Sequence, residues 1–149
     1  MGTDKKTGKQ EWDGQTGILL IAHGNLADGM LVVLEFITGP QPRCKALALD
    51  HALEVEKARN IVAVAIDDMM SDKGVLVLTD LFGGAPSNIA MSILDEKYIE
   101  IVAGVNLPIL IHATGLDESL SLKEKAEKLR EYGQDNIFVA SEVLSGDKK

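Results

Sequence analysis

The sequence predicts an α/β fold: a doubly wound, mostly parallel sheet of strand order 2-1-3-4, with helices on both faces and an added C-terminal antiparallel strand. Three observations lead there. From Gly17 onward, short β-rich runs alternate with longer stretches of helical period, the pattern of parallel strands joined by crossover helices. The runs GILLIA, ALALD, GVLVLT and IEIVAGV are apolar at successive residues, as strands covered on both faces must be. A length of 149 residues with 46% apolar composition suits one domain with a two- or three-layer core.

The elements follow in order. Strand one is Gly17 to Ala22, and the first helix runs from Leu26 to Ile37. Asn25 is its expected N-cap, Asp28 favours its first turn, and Thr38-Gly39-Pro40 stops it. Strand two is Ala46 to Asp50. Ala52 to Ser71 then carries a helix-period stripe at Val55, Ala58, Val62, Ala65, Ile66 and Met69. Strand three is Gly74 to Thr79, a helix spans Pro86 to Glu96, and strand four is Ile99 to Val105. A short apolar segment reaches Thr114, and a charged helix covers Ser119 to Tyr132 with Gly133 as its stop. Asn136 to Val143 reads as a last strand. Residues 1 to 16 read as a flexible extension, 17 to 144 as the domain, and 145 to 149 as a frayed tail.

Composition narrows the function. A net charge of -8 repels phosphate backbones and anionic lipid, which argues against nucleic acid as a partner. No apolar run approaches the roughly 20 residues that span a bilayer, and residues 1 to 16 lack the apolar core of a signal peptide. The single cysteine, Cys44, suits a reducing compartment, so a cytoplasmic location is expected. The strings GxxxxGK[ST], GxGxxG and GxSxG are absent, which disfavours nucleotide hydrolysis, dinucleotide binding and a serine-hydrolase elbow.

In the predicted strand order, strands one and three are neighbours at the topological switch point, and their carboxyl ends open the crevice where such sheets bind ligands. His23 and Asp80 stand at those two ends. Adjacent strands are about 4.8 Å apart, so the two side chains are expected within hydrogen-bonding reach. An aspartate on one imidazole nitrogen sets the tautomer, frees the other nitrogen's lone pair and stabilises positive charge as it attacks. Two helix starts, after Gly24-Asn25 and after Phe82-Gly83-Gly84-Ala85-Pro86, are expected to aim amides at an arriving anion. Taken singly, each element is also an ordinary loop or turn feature; their convergence favours a nucleophilic histidine.

Other residues read more plainly. Asp67-Asp68 is a solvated pair near the end of a helix, His51 is a loop residue remote from the switch point, and His112 is an isolated histidine in the ILIHAT segment. No metal and no cofactor is expected. Asn106, at the end of strand four, is a possible pocket neighbour, and Asn88 a possible buttress for the glycine turn.

The strings IAHG, LTDLFGGAPSN and IVAGVNLP, in that order and spacing, resemble the enzyme IIA component of the mannose family of the bacterial phosphoenolpyruvate-dependent sugar phosphotransferase system, over about residues 17 to 140. The resemblance implies a phosphocarrier that accepts a phosphoryl group from the histidine-phosphocarrier protein on His23, oriented by Asp80, and passes it to an enzyme IIB partner. It also implies a homodimer exchanging the strand Asn136 to Val143. An alternative within this reading is a free-standing regulatory module whose His23 phosphorylation state controls a protein partner. Where many members have Gly-Gly-Ser-Pro, this chain has Gly83-Gly84-Ala85-Pro86. Alanine in place of that serine removes a hydroxyl and a cap, leaving the backbone around Gly24, Asn25, Gly83, Gly84 and Ala85, with Ser87 as the alternative hydroxyl, to bind the phosphoryl oxygens.

Overall fold

Alternation along the strands decides the layering. In the computed structural model, which describes residues 14 to 146, β1 (Gly17–Ala22) sends Ile18 and Leu20 to one side of the sheet and Leu19 and Ile21 to the other, all of them buried. β3 (Val75–Thr79) does the same with Leu76 and Leu78 against Val75 and Val77. β2 (Cys44–Ala48) and β4 (Ile99–Ala103) complete a four-stranded sheet of order β2-β1-β3-β4, with every pairing parallel. Burying both faces of β1 and β3 contributes about 2 kcal/mol for each large aliphatic side chain.

The helices divide between the faces accordingly. On one side lie α1 (Leu26–Thr38), α4 (Leu107–Ala113) and α5 (Leu122–Asp135), which pack Ala27, Leu34, Ile109, Leu110, Ala126 and Leu129 onto the sheet. On the other lie α2 (Val55–Met69) and α3 (Ala85–Met91), with Val62, Ile66, Met69 and Ala90 inward. The expected stripe of the second helix thus lies against the core at Ala58, Val62, Ile66 and Met69, while Val55 stays exposed.

Several expectations need correction. Asn136 to Val143 is not a strand: Ala140–Leu144 forms a short helix, α6, with Val139 at its N-cap. Ala, Glu and Leu favour helix, and a lone strand without an adjacent ladder cannot satisfy its backbone groups. Gly133 does not stop α5 but lies buried within it, because a Cβ there would stand 2.4 Å from Ile109 Cδ1; glycine lets α4 and α5 approach. α5 starts later than Ser119, at a capping box in which the Ser121 hydroxyl accepts from the Glu124 amide and the Glu124 carboxylate accepts from the Ser121 amide. His112 stacks on Tyr132 with ring centroids 4.0 Å apart, and Asp67 accepts an ion pair from Lys97.

The domain also begins before Gly17. Residues 1 to 13 of the expected extension and 147 to 149 of the expected tail lie outside the described residues, but Thr16 is buried. Its amide and hydroxyl both donate to Glu118, and Lys125, buried within α5, donates to both Thr16 Oγ1 and Glu118 Oε2. Arg43 pairs with the other Glu118 oxygen and reaches the Thr114 carbonyl. Burial pushes the Glu118 carboxyl up, yet the hydrogen bonds from Lys125, Thr16 and Arg43 outweigh it and bring its pKa from 4.5 down to about 2.

Replacing Glu118 strands a buried ammonium group, so Glu118→Gln should destabilise the fold by about 3 kcal/mol in urea titrations near neutral pH. Because the folded-state pKa is depressed, this contribution is complete above about pH 4.5 and is lost as pH falls toward 2. The stability gap between wild type and variant should therefore close between pH 5 and 2, and a constant gap would contradict the assignment.

Candidate active site

Parallel register brings two chain ends together. Ile21 of β1 pairs with Thr79 of β3, so His23 and Asp80 leave neighbouring strands at the same edge of the sheet. His23 Nδ1 lies 2.8 Å from Asp80 Oδ2, and the same carboxylate oxygen accepts from the His23 amide at 3.0 Å. Asp80 Oδ1 accepts from the Leu81 amide at 2.9 Å. The carboxylate is thus held from both sides, 13% exposed, while the imidazole is 51% exposed. Partial burial works to raise the Asp80 pKa, but the His23 amide, the ring hydrogen bond and the ring's charge together hold it below the usual carboxylate range. With Nδ1–H donated to Asp80, the lone pair of Nε2 is left available.

A tight backbone approach sets the ring's position. Gly84 packs so closely that a Cβ there would stand 2.7 Å from His23 Cε1 and 3.3 Å from Nε2. Its φ of -74° is ordinary, so glycine is required here for space rather than for conformation. Gly24 and Gly83, with φ of +55° and +84°, do turn the chain through left-handed backbone on either side of the ring.

The other expected residues are distributed differently. Asn25 makes no side-chain cap on α1, and Gly84 rather than Ala85 is the N-cap of α3. The Ser87 hydroxyl is buried and turned back, accepting from the Gly83 amide at 3.0 Å and donating to the Gly84 carbonyl at 2.9 Å. The Gly84 amide donates to the Leu81 carbonyl. Ser87 and the Gly83 and Gly84 amides are therefore spent on the turn itself, and Asn88 braces it by donating to the Gly83 carbonyl. Among the described residues, the amides of Gly24, Asn25 and Ala85 have no acceptor within the protein. Asn106 is not at the pocket: its Oδ1 caps α4 by accepting from the Ile109 amide, and its Nδ2 reaches the Gly133 carbonyl.

Two features lay outside the sequence reading. His51, expected to be remote, lines a cleft of about 170 Å³ together with His23, Gly24, Ala85 and Pro86. Close in the chain to His23 and Asp80, Leu26, Leu81 and Phe82 are exposed apolar side chains, Phe82 by 74%. Among the described residues no three His, Cys, Asp or Glu side chains cluster as metal ligands. No helix among them is long and apolar enough to cross a membrane.

A family model described as PTS system fructose IIA component, EIIA-man, matches residues 17–130. The chain belongs to this EIIA-man family. A relative described as PTS system fructose-specific EIIA component, from Bacillus subtilis, is 30% identical over 128 residues, covering 85% of this chain and 88% of its own. Among solved structures, phosphotransferase system component EIIA from Streptococcus agalactiae superposes with a TM-score of 0.77 at 28% identity, over 85% of this chain and 98% of its own. The PTS IIA protein associated with the fucose utilization operon of Streptococcus pneumoniae gives 0.72 at 30% identity, over 87% and 96%. As an EIIA-man protein, the chain is a component of sugar phosphotransfer.

The Gly84 contact is open to test. Gly84→Ala should push the imidazole away from Asp80, visible as loss of the Nδ1-protonated tautomer in nitrogen NMR of His23. Unchanged tautomer signals in a folded variant would contradict the close approach.

Proposed function

We propose that His23 is the phosphoryl-carrying residue, charged by the histidine-phosphocarrier protein and discharged to an enzyme IIB partner, in the cytoplasm. The observation that carries this reading is the 2.8 Å contact between Nδ1 and Asp80, on a ring that remains half exposed. The Nε2 lone pair attacks the phosphorus of the donor's phosphohistidine. As the new N–P bond forms, the old one breaks and its electron pair returns to the donor imidazole. His23 becomes positively charged, and Asp80, already ionised and anchored by two amides, offsets that charge without moving. In the loose transition state the charge spreads over three oxygens, and the amides of Gly24, Asn25 and Ala85, which have no acceptor within the protein, are the donors assigned to them. Discharge to IIB follows the same path in reverse.

An apolar rim supports a protein donor and acceptor. Leu26, Leu81 and Phe82, close in the chain to His23 and Asp80, expose apolar surface that a protein partner would cover, excluding water from the transfer. We assign a homodimer contact, without exchange of the segment 136 to 143, to the edge of β4, the terminal strand of the sheet next to Phe82. Sedimentation of the full chain should then give twice the 16.0 kDa monomer mass.

Incubation with phosphoenolpyruvate, enzyme I and the histidine-phosphocarrier protein should yield an acid-labile, base-stable phosphoprotein. His23→Ala should abolish it, and Asp80→Asn should slow it roughly a hundredfold by losing the orienting carboxylate. Normal labelling of His23→Ala would refute the assignment.

A further inference from the structure

Register again sets the geometry. Ala22 of β1 pairs with Ala48 of β2, so the chain leaving β2 rises beside the chain leaving β1. It does not run away from the switch point, because a turn over residues 50 to 53 folds it back. The Leu53 amide donates to the Asp50 carbonyl at 3.0 Å, and the Ala52 amide donates to Asp50 Oδ1 at 2.9 Å. His51 stands at the tip of this doubly closed turn, so its backbone is fixed although its side chain is exposed.

The cleft between that turn and α3 has two chemically different linings. One is imidazole and backbone: His23, His51, Gly24 and Ala85. The other is apolar, with Leu49, Leu53, Val55, Ala58, Pro86 and Ile89 along the floor and walls. Gly84 abuts the Cε1–Nε2 edge of His23, and Ala85-Pro86, next in the chain, belong to the cleft wall. A group carried on Nε2 therefore emerges at the cleft that His51 borders. A tetrahedral PO₃ group is small beside a space of about 170 Å³. Nothing else in the cleft offers a side-chain N–H, since the remaining side chains are apolar apart from the Asp50 carboxylate.

We propose that His51 is a second phosphoryl-contacting residue, donating a ring N–H to an oxygen of the phosphoryl group on His23 from the opposite side of the cleft. This rests on His23 carrying that group. Imidazole has at least one N–H in either protonation state, so the contact does not depend on His51 being charged. The apolar wall makes the bond stronger than it would be in open water, and His51 supplies a side-chain donor on a site whose glycine turn has Ala85 and an inward-facing Ser87. No bond is made or broken by His51; it stabilises charge during arrival and departure.

The test compares wild type, His51→Ala and His51→Gln, each charged by phosphoenolpyruvate, enzyme I and the histidine-phosphocarrier protein. His51→Ala should keep its label on His23 and its melting temperature. Its kcat for phosphorylation should fall about tenfold with KM for the carrier unchanged, the scale of one hydrogen bond to a charged oxygen. Its phosphorus NMR resonance should shift from that of the wild type, and His51→Gln, which keeps an N–H, should recover most of both. Identical kcat and resonance in His51→Ala overturn the proposal while leaving His23 as carrier. A change in KM alone overturns it in favour of partner docking. A wild-type protein that takes no phosphoryl group overturns this proposal and the carrier reading together.

Discussion

The carboxylate of Asp80 is the constraint around which the rest of the site is arranged. Its two oxygens accept from the His23 amide, the His23 ring and the Leu81 amide. Three bonds leave no freedom to rotate, so the carboxylate joins the ends of β1 and β3 and orients the imidazole at once. Everything downstream inherits that orientation. The ring must lie where Gly84 passes, Gly84 must lack a side chain, and the turn from Gly83 to Ser87 must be held by its own hydroxyl and amides. An anion approaching Nε2 therefore meets a surface already shaped, and little reorganisation is needed when charge moves.

The fold serves this arrangement with two central strands that are apolar except at Thr79, the last residue of β3. β1 and β3 are buried along their whole length, and alternation sends their side chains into two separate cores. Polar chemistry is pushed to the strand ends. At the carboxyl edge stand His23 and Asp80; at the opposite edge stands the ionic group of Thr16, Arg43, Glu118 and Lys125. The two differ in physical character. Lys125 is sealed, so its charge can only be structural, whereas His23 is half exposed beside an anchored anion and can meet a partner.

What was legible in the sequence follows the same division. The strands and the layering could be read because apolar runs and helical stripes are local signals. The meeting of His23 with Asp80 could be reached because parallel strand order is a strong geometric rule. What depends on a distant neighbour could not be read. Gly133 looks like a helix stop until Ile109 arrives against it. Asn106 looks like a pocket residue until its side chain is seen capping α4. His51 looks remote by strand order, and only the hydrogen-bonded turn at Asp50 returns it to the cleft; the Asp at that position was the available signal. Ser87 looks like a spare hydroxyl, yet its first-turn position lets it bond back to Gly83 and Gly84. The segment 136 to 143 carries β-prone residues, but strand formation needs a second ladder that no single segment contains.

The buried ammonium of Lys125 also imposes an order of events on the newborn chain. Its hydroxyl partner, Thr16, lies 109 residues earlier. Thr16 therefore leaves the ribosome long before Glu118 and Lys125 exist, and the start of β1 stays without its lock while α1, β2, α2, β3 and β4 are being made. The first strand is fastened only once α5 has emerged. Thr16, ahead of the first strand, and α5, more than a hundred residues later, reach their final state together.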